Sequence, residues 1–160
     1  SEYLEKESPV NPYAFLDVLF KQLSEDDAVV TSNGSACVCS FQAAVIKKHT
    51  RLFTNSGCAA MGYGLPASLG VSVARKGKRT ICIEGDGSLQ MNIQELQTIF
   101  QNKLNIKLIV LNNFGYHSIR QTQRNLFSDH CEVGVGEESG DLSFPELERI
   151  AYRSEERRVG

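Results

Sequence analysis

Two short polar segments of the sequence carry residue types that suit a metal-bound phosphate. The first reads Gly85-Asp86-Gly87-Ser88, and the second is Asn112-Asn113. Glycine lets backbone N–H groups approach phosphate oxygens closely, and a loop that opens a helix directs such groups at an anion. Asp86 adds an anionic oxygen and Asn113 a neutral one, and Mg²⁺ prefers one or two such ligands together with phosphate oxygens and water. The two segments together predict a metal-bridged diphosphate site.

The first segment has a simpler interpretation when it is taken alone. Aspartate and glycine are common turn residues, so Gly85 to Ser88 by itself is more often an ordinary turn. Its combination with the asparagine pair favours a functional site. An alternative stays open, in which the same loops belong to a noncatalytic α/β module that binds phosphate or a nucleotide.

The residues around these segments predict alternating strands and helices. Four short apolar or β-branched runs are predicted strands, at residues 28–31, 51–54, 80–84 and 106–111. Strands that are apolar throughout and are separated by helices form parallel sheets with both faces covered. The predicted fold is therefore an α/β domain with a doubly wound parallel sheet and helices on both faces. Ligands of such sheets bind beyond the carboxyl ends of the strands, where both polar segments lie.

Apolar spacing and capping residues predict the helices. These are residues 12–24, 36–48, 65–74 and 92–102, with a last helix that runs through Tyr152. Asn11 supplies an N-cap before Pro12, and Ser143 and Glu146 form a capping box before the last helix. Residues 57–64 are too rich in glycine to be regular.

The composition restricts the class of protein. The chain has 160 residues, with 17 Lys and Arg, 19 Asp and Glu, and a formal net charge of −2. The basic residues are scattered, which argues against a nucleic-acid partner, and no apolar run is long enough to cross a membrane. Five cysteines without paired C-x-x-C spacing are typical of a reducing compartment, so we predict a cytoplasmic location.

Three motifs together resemble a known enzyme family. Gly85-Asp86-Gly87 followed by Asn112-Asn113 resembles the signature of thiamine diphosphate (ThDP) enzymes. The segment CAAMGYGLP, from Cys58 to Pro66, is similar to the preceding glycine-rich segment of the acetolactate synthase group. The resemblance covers most of the chain and implies the C-terminal, diphosphate-binding domain of a larger ThDP-dependent enzyme.

The family pattern implies roles for individual positions. The Asp86 carboxylate, the Asn113 side chain and the Gly115 carbonyl would bind Mg²⁺. Met61 would be the bulky residue that bends the cofactor, while its backbone N–H and the Ala59 carbonyl would pair with the aminopyrimidine ring. Five further residues would lie against the cofactor, mainly its diphosphate: Gly34, Ser35, Gly85, Gly87 and Ser88.

Residues beyond the predicted metal loop are candidates for the substrate side of the site. His117 is a candidate for substrate contact, and the alternative is a histidine that faces solvent. Tyr116 is a further candidate for substrate contact, and Tyr116 and Arg120 are candidates for lining the entrance to the site, with surface packing as the alternative for both. No catalytic residue is assigned, because in this family the glutamate that activates the pyrimidine ring lies on a different domain of a partner subunit. Where acetolactate synthases carry a tryptophan that helps to select the second keto acid, ungapped alignment places Thr122.

The resemblance also implies an activity and an assembly. It implies a carboligase (a transferase) or a decarboxylase (a lyase) that acts on a 2-keto acid and works as a homodimer or tetramer. Because the activating glutamate would be missing, the 160 residues alone are predicted to be inactive.

The carboxyl-terminal residues stand apart from the domain. Residues 153–160 read RSEERRVG, which resembles the translation of a common sequencing adapter. We therefore predict a ThDP- and Mg-binding domain at residues 1–152, truncated at its carboxyl end, followed by a non-native tail. The alternative is an ordinary charged helix that continues from Arg149.

Overall fold

The computed structural model describes residues 9–127 and 132–153. Within these ranges, one sheet has the strand order β2-β1-β3-β4, and every neighbouring pair is parallel. The strands are β1 (Ala28–Thr31), β2 (Arg51–Phe53), β3 (Thr80–Gly85) and β4 (Ile106–Leu111). The order reverses direction between β1 and β3, which opens a crevice at their carboxyl ends.

Helices connect the strands and cover the sheet. They are α1 (Pro12–Gln22), α2 (Gly34–Ala43), α3 (Gly64–Ala74), α4 (Asp86–Leu89), α5 (Glu95–Gln101), α6 (His117–Leu126) and α7 (Leu147–Arg153). Two 3-10 turns lie at Gln90–Asn92 and Glu137–Ser139. Arg153 ends α7, and the rest of the predicted tail lies outside the described residues.

Alternating side chains of β3 pack into two separate cores. Ile81 and Ile83 join Phe20 in a core against α1 and α2. Cys82 points to the opposite face and joins Leu65 in a core that includes α3 and α5. Successive side chains of a strand point to opposite faces, so helices cover both faces of this sheet. The predicted doubly wound fold is confirmed.

Local signals placed several elements correctly. The side chain of Asn11 accepts hydrogen bonds from the backbone of Tyr13 at 2.9 Å and Ala14 at 3.3 Å, which is the predicted N-cap of α1. Strands β1 and β4 have the predicted bounds, and β3 extends one residue further, to Gly85. The segment 57–64 contains Ala59 at φ +50°, which agrees with its predicted irregularity.

Two predicted helix boundaries were wrong. Helix α2 ends at Ala43 rather than residue 48, because the backbone becomes extended at Ala44. The side chain of Lys47, beyond this end, donates to the carbonyls of Lys21 and Leu23 at the end of α1. The helix predicted from residue 92 begins at Glu95. Asn92 belongs instead to the preceding 3-10 turn.

Helix α6 was not predicted, and strand β4 is less buried than its sequence suggests. Helix α6 has no buried residue, so its sequence lacks the apolar spacing that reveals a helix packed on a core. Strand β4 lies at an edge of the sheet, and most of its apolar side chains are half-buried.

Candidate functional site

A cleft of about 240 Å³ opens at the carboxyl ends of β1, β3 and β4. The predicted site residues that line it are Gly34, Ser35, Met61, Gly85, Asp86, Gly87, Ser88, Asn113, Gly115, Tyr116 and His117. The lining does not include Ala59, which lies two positions before Met61, or Arg120. Folding therefore brings nearly all of the predicted residues to one cleft, at the point where ligands bind in open parallel sheets.

Asp86 is the first residue of α4 and directly follows β3. Its side chain is buried, and its Oδ2 accepts a hydrogen bond of 2.9 Å from the backbone N–H of Gly115. Burial raises the pKa of Asp86, although backbone N–H groups, that of Gly115 foremost, oppose the shift. A nearby cation would favour the charged carboxylate, so this position suits a metal ligand.

Asn113 presents a buried oxygen that has no donor. Its Oδ1 is inaccessible to solvent and has no hydrogen-bond partner. Strand β4 pairs with β3 so that Leu111 lies opposite Gly85, which brings the loop of Asn113 beside the loop of Asp86. An unsatisfied buried acceptor costs roughly 1–3 kcal/mol, and a cation would satisfy it. A carboxylate and an amide oxygen that line one cleft fit a hard divalent cation.

Gly115 shapes the loop that follows β4. Its φ is +142°, and a Cβ at this position would collide with the carbonyl oxygen of Val135. Its own carbonyl accepts a hydrogen bond of 3.2 Å from the N–H of His117. A carbonyl oxygen has a second lone pair, so this group retains the capacity to bind a cation.

Buried polar contacts fix the segment that contains Met61. Ser88 accepts a hydrogen bond of 2.7 Å from the N–H of Gly62, and its Oγ lies 2.7 Å from Oγ of Ser32. Asn92 donates to the carbonyl of Gly62 at 2.7 Å. Sequence reasoning missed Ser32 and Asn92, because each acts through a partner that is distant along the chain.

Glu84 is a further residue that sequence reasoning missed. It is fully buried at the end of β3, and its Oε2 accepts a hydrogen bond of 3.0 Å from the N–H of Leu65. Burial raises the pKa of Glu84, opposed by hydrogen bonds from groups that include Ser32 and Ser88. The available signal was a carboxylate inside an otherwise apolar strand.

Tyr116 and His117 lie at the start of α6 and line the cleft. The ring of Tyr116 packs edge-on against Phe144, with ring centroids 5.4 Å apart. A Cβ at Gly87 would collide with the same tyrosine ring, so the glycine allows the ring to lie against the loop. His117 is exposed at the rim of the cleft.

Comparison with known proteins identifies the family. Residues 32–151 match the family model described as "Thiamine pyrophosphate enzyme, C-terminal TPP binding domain". The chain belongs to this thiamine pyrophosphate enzyme family. Thiamine pyrophosphate is ThDP, so the predicted cofactor and the predicted resemblance are both confirmed.

Relatives of this ThDP-binding domain are acetolactate synthases. The chain is 32% identical over 139 residues to acetolactate synthase isozyme 1 large subunit of Escherichia coli (strain K12). This match covers 87% of this chain and 24% of the relative. It is 45% identical over 101 residues to acetolactate synthase of Arthrospira platensis, and this match covers 63% of this chain and 17% of the relative. The chain therefore spans about a quarter or less of these relatives.

A solved structure supports the fold of the ThDP-binding domain. The Rhodococcus jostii RHA1 thiamine diphosphate-dependent 4-hydroxybenzoylformate decarboxylase superposes with a TM-score of 0.79 at 20% sequence identity. The match covers 97% of this chain and 28% of the decarboxylase chain. At this identity the likeness concerns the fold alone.

Other sequence features lie away from the cleft. Thr122 lies on α6 outside the cleft lining, and its hydroxyl donates to the Ser118 carbonyl at 2.9 Å. Free cysteines among the described residues are Cys37, Cys39, Cys58 and Cys82, whereas Cys131 lies outside those residues. Over the same ranges, no three His, Cys, Asp or Glu side chains gather as metal ligands, and no helix has the length and apolarity to span a membrane.

Proposed function

We propose that this chain is the Mg²⁺- and ThDP-binding domain of a carboligase or decarboxylase that acts on a 2-keto acid, similar to acetolactate synthase. The observation that carries the proposal is the buried, unpartnered Oδ1 of Asn113, in one cleft with the buried carboxylate of Asp86. The two residues follow neighbouring parallel strands. Their oxygens are the ligand types that Mg²⁺ takes when it also binds phosphate oxygens.

The proposed metal ligands are the Asp86 carboxylate, the Asn113 amide oxygen and the Gly115 carbonyl. The hydrogen bond from the Gly115 N–H to Asp86 links two of these ligands directly. It orients the carboxylate and fixes the loop that carries the carbonyl. Partners that orient metal ligands in this way raise metal affinity.

The diphosphate of the cofactor is proposed to lie against the start of α2 and of α4. Gly34 and Ser35 open α2, and Gly87 and Ser88 lie in α4 directly after Asp86. The first N–H groups of a helix have no partner within it and attract an anion. The N-terminus of the ten-residue helix α2 therefore supplies donors to the cleft, and Ser88 holds the neighbouring segment through Gly62.

Met61 is proposed to support the bent form of the cofactor, with the Ala59 carbonyl and the Met61 N–H holding the pyrimidine ring. Ala59 has φ +50° and donates its own N–H to the Asn55 carbonyl at 2.9 Å. When bound, ThDP supplies a nucleophilic carbon that attacks the carbonyl of a 2-keto acid. The contribution of this chain is to position the cofactor.

The remaining parts of the enzyme are proposed to lie in the rest of a longer, cytoplasmic protein. The relatives named above are more than three times as long as this chain, so residues 1–152 would be one domain of several. We propose that the full protein is a homodimer or tetramer and that a glutamate on another domain activates the cofactor. The chain alone is then inactive, and Tyr116 and His117 remain the candidates for substrate contact.

The test is a titration of the full-length protein with ThDP, with and without Mg²⁺. We expect tight binding that requires the metal and that Asp86→Ala abolishes. Asp26→Asn is the matched control, because Asp26 is exposed and pairs with the exposed Lys78. ThDP binding that is unaffected by Mg²⁺ and by Asp86→Ala, or a preference for a nucleotide, would favour a noncatalytic phosphate-binding module.

A further inference from the structure

A segment outside the cleft lies against the loop proposed to bind the metal. We call residues 132–138 the strap. Its Val135 is fully buried, and the Val135 carbonyl accepts a hydrogen bond of 2.8 Å from the N–H of Tyr116. Gly115 and Gly136 form an antiparallel bridge. The strap therefore supports the loop from the side.

Polar side chains of α6 hold the strap. The side-chain amide of Gln123 donates to the Val133 carbonyl at 2.9 Å and accepts from the Val133 N–H at 3.0 Å. Arg124 pairs with Glu132 and, at 3.4 Å, with Glu138. These contacts hold Glu132, Val133 and Glu138, toward the two ends of the strap, and do not involve Gly136, where the bridge forms.

Arg120 connects the loop and the strap at the bridge itself. Its Nη2 donates to the Phe114 carbonyl at 3.0 Å and to the Val135 carbonyl at 3.4 Å. A Cβ on Gly115 or on Gly136 would lie 2.9 Å from the same nitrogen, so the guanidinium packs over both glycines. Its Nε is buried and has no hydrogen-bond partner, so both of the hydrogen bonds described for this side chain come from Nη2.

We propose that Arg120 is a positioning residue for the metal site. Its two hydrogen bonds join the peptide before Gly115 to the strap, and this fixes the direction of the Gly115 carbonyl and the N–H that binds Asp86. Hydrogen bonds from a charged donor are stronger than those between neutral groups. The inference rests on the proposed function, because it assigns Arg120 to the Mg²⁺ site described there.

Arg120 and its neighbour on α6, Arg124, make different kinds of contact. Arg120 donates to main-chain carbonyls at the bridge, whereas the half-exposed Arg124 pairs with the carboxylates of Glu132, which is 15% exposed, and of Glu138, which is exposed. Neither glutamate takes part in the bridge, and ion pairs of a half-exposed side chain are weakened by solvent. Arg120→Gln should therefore loosen the metal loop, and Arg124→Gln is the matched control on the same helix face.

The test uses the full-length protein, with Mn²⁺ as the probe in the presence of ThDP. We expect Arg120→Gln to weaken Mn²⁺ binding by about 10- to 100-fold, the range for residues that orient metal ligands, with partial recovery in Arg120→Lys. Saturating Mn²⁺ should restore the ThDP affinity of Arg120→Gln, which a general loss of folding would not allow. Arg124→Gln should change Mn²⁺ affinity by less than about 3-fold.

A second measurement needs no cofactor. Hydrogen exchange of the Tyr116 amide, which is bonded to Val135, should be faster in Arg120→Gln than in wild type and Arg124→Gln. Wild-type Mn²⁺ affinity in Arg120→Gln would overturn the inference and leave the proposed function standing. Failure of the wild-type protein to bind Mn²⁺ with ThDP would overturn the proposed function and the inference together.

Discussion

The backbone N–H of Gly115 donates to the carboxylate of Asp86 at 2.9 Å, across 29 positions of sequence. This hydrogen bond joins the loops that follow two neighbouring strands, β3 and β4. In the same loop, the Asn113 side-chain oxygen is buried and has no donor. The protein thus orients the first proposed ligand, Asp86, through a hydrogen bond, whereas it gives the second, Asn113, no donor.

Asn113→Leu should separate metal binding from stability. Loss of the amide oxygen is expected to weaken Mg²⁺ binding by at least the roughly 10- to 100-fold seen when supporting residues are lost. The metal-free protein should be as stable as wild type or more stable, because the variant removes a buried acceptor without a partner. Calorimetric Mg²⁺ titration in the presence of ThDP and thermal unfolding without metal measure the two effects. Similar loss of Mg²⁺ affinity in Asn102→Leu, at an exposed position after α5 and outside the cleft lining, would contradict a specific role for Asn113.

Gly87→Ala should disturb the cleft, while Gly70→Ala, on α3 outside the cleft lining, should be tolerated. A Cβ at Gly87 would collide with the ring of Tyr116 and lie 3.3 Å from Phe144, whereas nothing lies within 4 Å of a Cβ at Gly70. We expect Gly87→Ala to lower the free energy of unfolding by about 1–3 kcal/mol and to weaken ThDP binding. Urea denaturation and ThDP titration of both variants check this, and equal behaviour of the two would argue against the packing explanation.

Gly136→Ala should weaken metal binding through the strap. A Cβ there would collide with the Phe114 carbonyl, whereas a Cβ at Gly134, where φ is +64°, would have nothing within 4 Å. Gly134→Ala carries the cost of a left-handed φ, of order 1 kcal/mol, but no collision, whereas Gly136→Ala, at φ +157°, places a methyl group against the metal loop. Mn²⁺ affinity in the presence of ThDP should therefore fall further in Gly136→Ala than in Gly134→Ala. The reverse order would exclude contact with the strap as a support of the metal loop.

Asp27 should contribute stability that is lost in acid. Burial alone would raise the pKa of Asp27, but hydrogen bonds from Arg79 and from the Ser24 N–H outweigh it and hold the pKa below the usual range. The folded pKa lies below the unfolded value of about 3.9, so the contribution is complete above that value and disappears as the pH falls through the folded pKa.

Asp27→Asn tests this contribution against Asp26→Asn. At pH 7 we expect Asp27→Asn to lower the free energy of unfolding by about 1.5–3 kcal/mol, the range for hydrogen bonds to charged groups. Asp26 forms an exposed pair with Lys78, so Asp26→Asn should stay within about 0.5 kcal/mol of wild type. Urea denaturation from pH 7 down to pH 3 should show a constant difference between Asp27→Asn and wild type above about pH 4 and a smaller difference at pH 3. A difference that is as large at pH 3 as at pH 7 would contradict the ionic origin.

Local sequence signals were sufficient where an element depends on its own residues. The apolar runs 28–31 and 106–111 have the predicted strand bounds, and Asn11 caps α1 as predicted. Helix α6 was not predicted because it has no buried apolar face. Polar contacts such as the hydrogen bonds between Gln123 and Val133 join it to the strap instead. Periodicity detects burial on a core, and α6 has no buried residue.

The sequence by itself determined the parallel α/β fold, because strand runs and the helices between them depend on local spacing. The resemblance of its motifs to ThDP enzymes supplied the ThDP cofactor, and most of the predicted site residues line the cleft because they directly follow strands. Only the tertiary structure decided three features. The side-chain oxygen of Asn113 has no hydrogen-bond partner, Glu84 accepts from the Leu65 N–H, and Arg120 donates to the carbonyls of Phe114 and Val135. Each of these depends on where distant backbone groups lie after folding. A hydrogen bond requires a distance and a direction, and residue spacing along the chain specifies neither across such separations.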